Sequence, residues 1–359
     1  MPGLGSGPYN ARLQQTMLRI KDPNISVPFY VQHFGMKLVH WIRFDDFKFT
    51  VYFLERQKEG QVSPECSLEQ TSAECERYLW TMDGSTIELT HNHGTEMDDS
   101  FKVWNGNTGK DAGEGPNYAE EPAARGFGHI AFNVDDVYKT CEVLEAAGVR
   151  FQKKPDDGRM KGLAFALDPD GYWVEIVRRE NLGWPEQQNL SQTMMRVKDG
   201  QATIDFYTRH LGMKLVRVME MPQYKFTNYF LVSMTDAEFD AAVEQLPAEE
   251  KPFDPSKPNS FIKMIWNQAL ELTWNHGTEQ DPDFKVHDGN AQPQGFGHIG
   301  FLVDNLEEAC AKMEADGVNF KKRPQEGKMR GIAFAFDPNG YWVELIDRTA
   351  SFAGVCSNY

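Results

Sequence analysis

The stretch LQQTMLRIKDPNISVPFYVQHFGMKLV, beginning at residue 13, returns as LSQTMMRVKDGQATIDFYTRHLGMKLV at residue 190. KFTVYFL returns as KFTNYFL, IELTHNHGTE as LELTWNHGTE, GFGHIAF as GFGHIGF, and DPDGYWVEIV as DPNGYWVELI. A chain written twice is expected to fold as two similar units, and internal repetition constrains architecture more than any single motif. The length of 359 residues agrees, because one core rarely grows so large and two domains of roughly 150–180 residues are ordinary. The interval between copies changes along the chain, so the halves differ by insertions. Two are visible, EGQVSPECSLEQTSAECE at 59–76 and TDAEFDAAVEQLPAEEKPFDPSKPNS at 235–260. Both are acidic and Pro- and Ser-bearing, and read as solvated loops. The expected division is a first domain at 1–182, a linker at 183–190 overlapping the stretch RENLGWPEQQN at 179–189, and a second domain at 191–359.

Each half divides again. GHIAFNVD reads as a strand, Asp135 or Asp136 caps a helix whose Val137, Cys141 and Leu144 share a face, and Gly148 stops it. VRFQKK, GLAFALD and YWVEIV then read as strands, with DPDG as a turn. The last quarter repeats this order, with Leu306, Cys310 and Met313 on the helix face and Gly317 at its end. The first and third quarters open on a strand around Gln15 or Gln192, and in the first a helix then runs from Asp22-Pro23 to near Gly35. The fold class is therefore α+β, built from four βαβββ modules in two tandem halves, with mixed, curved sheets.

Composition removes several function classes. The net charge of −16 disfavours nucleic acid and anionic membranes, which require a basic footprint. No apolar run approaches the ~18 residues of a bilayer span. The start MPGLGSGPYNARLQQ lacks the features of a secretory signal or an Arg-rich transit peptide. Five cysteines without a C-x-x-C pair argue against a disulfide framework and fit a reducing, cytoplasmic setting.

Polar residues interrupt the strands at recurring places. In STIELTHN, Glu88 alternates with Ile87 and Leu89; in GYWVEIV, Glu175 shares a face with Trp173 and Val177. A carboxylate on such a face is expected to be paired, hydrogen-bonded, protonated or metal-bound, since burying it bare costs several kcal/mol. Every module supplies one such residue on its first strand and one on its last: Gln15 and Glu88, His129 and Glu175, Gln192 and Glu271, His298 and Glu344. Residues 129 and 175 stand as far apart as 298 and 344, so both residue types survive duplication at fixed spacing. Buried Glu–His pairs holding sheets in register would be a structural alternative. Without thiolates the donors suit zinc, nickel, cobalt, iron or manganese. Two Glu, one His and one Gln carry about −2, neutralising a divalent ion. Patterning alone leaves open whether the ligands of one site come from one half or from both.

QQTMLRIKDP, FGMKLV, KFTVYFL, ELTHNHGTE, GFGHI and KKPDDGRMKGLAFALDPDGYWVEI closely resemble the glyoxalase I (lactoylglutathione lyase) family of the vicinal oxygen chelate superfamily, twice over and across nearly the whole chain. The resemblance is to the tandem, single-chain form. It implies metal sites that span the halves: Gln15, Glu88, His298 and Glu344 in one, His129, Glu175, Gln192 and Glu271 in the other. It implies one divalent metal per site, zinc before nickel or cobalt, and a substrate formed from glutathione and methylglyoxal that is isomerised to S-lactoylglutathione. Glu344 or Glu175 would be the base, with Glu88 or Glu271 serving the opposite substrate face. The metal would acidify the substrate's C1 proton and stabilise the enediolate. Contacts to glutathione would come from Arg19, Asn92 and Lys322 at one site and from Arg196, Asn275, Arg125 and Lys153 at the other. Where the first half has Arg125 before GFGH, the second has Gln294, which cannot pair bidentately with a carboxylate. A monomer is expected, because one chain supplies both halves of each site.

Alternatives on the same fold are weighed by their ligands. An extradiol dioxygenase uses iron held by two His and one Glu, whereas this chain offers one His per site. An epimerase shares the proton-transfer logic but not the glutathione-type Arg and Asn positions. A non-catalytic, metal-free binding module is opposed by all eight ligand-type residues.

Overall fold

The computed structural model describes residues 5, 7, 9–107, 125–178, 188–352 and 356. The first quarter runs β1 (Arg12–Ile20), α1 (Pro23–Phe34), β2 (Lys37–Phe44), β3 (Phe49–Glu55), α2 (Ala73–Thr81) and β4 (Thr86–Asn92). The second runs β5 (Phe127–Val134), α3 (Val137–Ala146), β6 (Arg150–Lys153), β7 (Ala164–Leu167) and β8 (Trp173–Arg178). The third comprises β9 (Asn189–Val197), α4 (Gly200–Leu211), β10 (Lys214–Met221), β11 (Phe226–Val232), α5 (Asp236–Gln245), α6 (Phe261–Met264) and β12 (Ala269–Asn275). The fourth comprises β13 (Phe296–Val303), α7 (Leu306–Ala315), β14 (Phe320–Lys322), β15 (Ile332–Phe336) and β16 (Trp342–Asp347). Four βαβββ modules result, as the sequence pattern predicts. Of the segment read as a linker, residues 183–187 lie outside the described residues, while Asn189 and Leu190 already belong to β9.

Local chemistry sets the helix ends. Asp22, Asp136, Asp199 and Asn305 each accept a backbone N–H of the helix they precede, so Asp136 rather than Asp135 caps α3. Gly35 and Gly212 close α1 and α4 with positive φ, a conformation glycine adopts without steric cost. The two insertions depart from the solvated-loop expectation. The capping box Thr235–Glu238 starts α5, and Ser72 caps α2, whose Cys75, Leu79 and Trp80 are buried. The T-x-x-E signal at 235–238 was legible, but the acidic, Pro-containing composition around it masked the helix. Arg12, almost fully buried, ties the second insertion and the turn after α2 to β1 through Glu238 and Asp83.

The sheets do not follow the halves. One has the order β14-β15-β16-β13-β1-β4-β3-β2 and joins the fourth module to the first; the other, β10-β11-β12-β9-β5-β8-β7-β6, joins the third to the second. The seams are antiparallel: β1 pairs with β13 and β9 with β5. On β1 the residues Gln15, Met17 and Arg19 face a cavity, while Leu18 and Ile20 enter the main core. Thr16 also points away from the cavity and meets Thr193 of β9 at 2.5 Å, so the two sheets touch where each carries its Gln. The stacked rings of Phe127 and Phe296, 5.1 Å apart and nearly parallel, repeat that contact at the two GFGH segments.

The glycines of GFGH now have a reason. A Cβ on Gly126 would stand 1.9 Å from the carbonyl oxygen of His287, and one on Gly295 would stand 1.8 Å from that of Trp104. A Cβ on Gly128 or Gly297 would strike the sulfur of Met194 or Met17 on the neighbouring strand. We expect Gly126→Ala and Gly295→Ala each to cost about 1–3 kcal/mol, because backbone rather than a flexible side chain must yield. Urea titration of the two variants checks this, and unchanged midpoints would contradict it.

Candidate metal centre

Each seam gathers four polar side chains. At β1–β13 these are Gln15, Glu88 from β4, His298 and Glu344 from β16, all within a few per cent of full burial. Met17 is in register with both His298 and Glu88, and Gly300 with both Gln15 and Glu344, so adjacent strands deliver the four to one point. His298 Nε2 lies 3.2 Å from Glu88 Oε2 and 3.0 Å from Glu344 Oε2. The Gln15 amide nitrogen is 2.8 Å from Glu344 Oε2 and 3.4 Å from His298 Nε2, and it also donates to Glu88. The second seam repeats the arrangement. His129 Nε2 stands 3.2 Å from Glu175 Oε2 and 3.5 Å from Glu271 Oε2, while Gln192 Nε2 donates to them at 3.0 Å and 2.8 Å.

These separations suit donors sharing one ion, since adjacent ligands ~2.1 Å from a metal are ~3 Å apart. The donors themselves fit as well. Gln15 Oε1 is buried with no partner, and His129 Nε2 has no aligned hydrogen bond despite its carboxylate neighbours. A half-turn of the Gln15 amide would place that oxygen among the other donors, a rotation open to terminal amides. Two buried carboxylates, an imidazole and an amide oxygen make a set that a divalent cation would satisfy and an apolar interior would not. Burial disfavours a charged imidazole, yet Glu344 and Glu88 outweigh it and hold His298 up at about 9. Glu175 and Glu271 do the same for His129, also about 9. Burial raises the Glu344 and Glu271 carboxyls.

Above the His298 cluster opens a cavity of about 420 Å³. Arg19, Asn92 and Lys322, the two cations and one amide expected at this site, all line it, together with Phe49, Val51, Phe334 and Trp342. Arg19 is held by Asn290 Oδ1 at 2.8 Å and by the carbonyls of Gly295 and Phe296. Tyr172, just before β8 of the other sheet, donates to the Arg19 carbonyl oxygen at 3.1 Å. Burial lowers the Arg19 and Lys322 pKa values, and Lys322 donates to the carbonyls of Met329 and Ile332. At the second seam Arg196 is bound likewise by Asn107 and by the Phe127 carbonyl, and Tyr341 donates to its backbone oxygen. Asn275, Lys153 and Arg125 are partly exposed on elements matching those of the first seam. Gln294, opposite number of Arg125, donates to the Asn290 carbonyl at 3.0 Å.

Reading the sequence missed Asn107 and Asn290, which hold the arginines, and the tyrosines of GYW. A signal existed, because WNGN and HDGN recur at matching places. The cavity's aromatic wall carried no polar signature.

Paired βαβββ modules closing over a buried Gln–Glu–His–Glu set define a vicinal oxygen chelate protein. The family described as the Glyoxalase/Bleomycin resistance protein/Dioxygenase superfamily matches residues 12–176 and again 189–345. Glyoxalase I of Saccharomyces cerevisiae is 39 % identical over 345 residues, covering 93 % of this chain and 91 % of its own. Lactoylglutathione lyase of Schizosaccharomyces pombe is 38 % identical over 343 residues, covering 94 % and 96 %. The crystal structure of glyoxalase I from Zea mays superposes with a TM-score of 0.61 at 26 % identity, covering 94 % of this chain and 93 % of that one. The chain belongs to the glyoxalase I family, the lactoylglutathione lyases.

Metal uptake tests the centre. The metal-free chain is expected to bind two divalent ions, and His298→Ala one. With both imidazoles protonated up to about 9, a metal must displace a proton at neutral pH, so uptake releases about one proton per site and weakens as pH falls. Calorimetry in buffers of different ionisation heat counts those protons, and binding indifferent to pH would contradict the arrangement.

Proposed function

We propose that this chain isomerises the hemithioacetal of glutathione and methylglyoxal to S-lactoylglutathione at both seams, removing methylglyoxal. The observation that carries the reading is the cavity over His298. It combines a four-donor cluster at its floor, apolar walls, and Arg19, Asn92 and Lys322 where an anionic glutathionyl group needs cations and amides. Zinc is the metal the Gln, Glu, His, Glu set is assigned to hold, with nickel or cobalt chemically admissible. When bound, it supplies Lewis acidity toward the substrate's two vicinal oxygens.

The chain's own residues do the rest. Glu344, or Glu175 at the second seam, removes the C1 proton and returns it to C2, so the substrate is converted to its isomer with no external oxidant or reductant. Burial, which raises the Glu344 carboxyl, brings the group toward the pKa a base needs near neutrality. Glu88 and Glu271 stand across each cluster and serve the opposite face of the substrate. Phe334 packs edge-on against the His298 ring, 5.3 Å between centroids, and Phe165 lies 5.3 Å from His129, which limits water access to the reacting carbons.

Both halves of each site lie in one chain, which supports a monomer as the working unit. All five cysteines are free, which agrees with a cytoplasmic enzyme, and among the described residues no helix is long and apolar enough to cross a membrane.

Thioester formation, followed by ultraviolet absorbance, tests the reading. The expected result is turnover that is abolished by chelation and restored by zinc; no thioester from the metal-loaded chain would overturn it. The sites should also differ in affinity. Gln294 stands at the His298 site where Arg125 stands at the His129 site, so Glu344→Gln, which leaves the His129 site, should show the lower KM. Equal KM values for Glu344→Gln and Glu175→Gln would contradict this.

A further inference from the structure

The two sites differ at a strand position beside one of the cluster's carboxylates. In the first sheet, Phe53, Val51 and Phe49 of β3 are paired in register with Glu88, Thr90 and Asn92 of β4, and all six line the cavity. In the second sheet, Phe230, Asn228 and Phe226 of β11 pair with Glu271, Thr273 and Asn275 of β12. Asn228 therefore occupies the place of Val51. Its Nδ2 donates to Glu271 Oε1 at 2.5 Å, on the oxygen opposite the one that faces Gln192, and Thr273 donates to Asn228 Oδ1 at 2.9 Å. Where Val51 stands, Thr90 instead donates directly to Glu88, at 3.2 Å.

The surroundings change in the same sense. Val51 is 6 % exposed and joins an apolar cluster with Ile42, Phe44, Phe53, Trp80 and Phe352. The Phe352 ring closes that cluster from the C-terminal side, 5.9 Å from Phe44 and 6.0 Å from Trp80, with its backbone N–H donating to Glu76. At the second seam Met219, Met221 and Tyr224 replace Ile42, Phe44 and Phe47, and Met219, Met221 and Asn228 are all partly exposed. An amide has two N–H donors and two oxygen lone pairs, and Asn228 uses one of each within the protein. One donor and one acceptor remain for a ligand.

We propose that the two sites divide α-oxoaldehydes by polarity, with position 51 or 228 deciding. The His298 site takes hemithioacetals whose aldehyde carries an apolar or aromatic group. The His129 site takes those with a hydroxyl on the carbon beside the reacting pair, which Asn228 binds. This assignment rests on the lyase reading and adds to it a substrate class for each site. The physical asymmetry is that an apolar wall discriminates weakly against an added hydroxyl, whereas a polar group facing the ligand penalises a substrate that leaves it unpaired.

The test compares kcat/KM for the glutathione adducts of hydroxypyruvaldehyde and phenylglyoxal in zinc-loaded, full-length chains. Both carry the same glutathionyl part, so the ratio is independent of its contacts. Glu344→Gln, which leaves the His129 site, should show a hydroxylated-to-aromatic ratio about tenfold or more above that of Glu175→Gln. Adding Asn228→Val to the former should lower the ratio about tenfold, Asn228→Ser should retain most of it, and adding Val51→Asn to the latter should raise it. Metal content measured alongside separates loss of the site from a change of preference. Equal ratios for the two surviving sites, or ratios unmoved by both substitutions at unchanged metal content, would overturn the assignment alone. A chain inactive toward methylglyoxal would overturn the lyase reading and this assignment with it.

Discussion

Everything in this structure turns on two pairs of carboxylates that the fold buries beside an imidazole and an amide. Glu88 and Glu344, and Glu175 and Glu271, are each less than a tenth exposed. Two like charges in such a place repel, and removing them from water costs several kcal/mol per ion unless positive charge compensates. The imidazole compensates in part by taking up a proton. A divalent cation would compensate fully, and it would replace the proton in doing so. The strand registers bring these groups to one point.

The duplication gains its meaning from the seam. No module supplies more than two of the four donors, and each sheet draws one module from each half of the chain. The backbone carbonyls of Trp104 and His287 approach the starts of the two GFGH strands closely, and the first glycine of each GFGH leaves room for that. Folding both halves into one chain also fixes their relative concentration, so that neither site depends on association. It further frees the copies to diverge, since a substitution such as Val51 against Asn228 alters one site and not the other.

Much of this was legible in the residues. Alternation placed each Glu on the face of its strand that proved to carry the cluster, and recurrence at fixed spacing separated ligand-type residues from ordinary core polar groups. Helix caps were readable because Asp22, Asp136 and Gly35 have local causes. Two things were not legible, for different reasons. Periodicity reports which face a residue occupies, not which strand it meets, so the pairing of Gln15 with His298 rather than His129 came from family resemblance and from the sheet order. The helices of the insertions were hidden because acidic, proline-bearing composition outweighed short capping signals, although α2 contributes Trp80 to the wall of a cavity. Asn228 differs from Val51 by one letter in an otherwise matching heptad, and its importance appears only when its amide is seen on Glu271.

The central claim is that each metal centre takes two donors from each half of the chain. Counting bound metal in two double variants tests it most directly. Glu88→Ala with Glu175→Ala removes two residues of the first half that belong to different seams, while Glu88→Ala with Glu344→Ala removes residues of different halves that belong to one seam. The structure predicts no tightly bound metal and no thioester formation in the first, and one metal with one working site in the second. One metal retained in the first and none in the second would mean that each half builds its own centre, and would contradict the account.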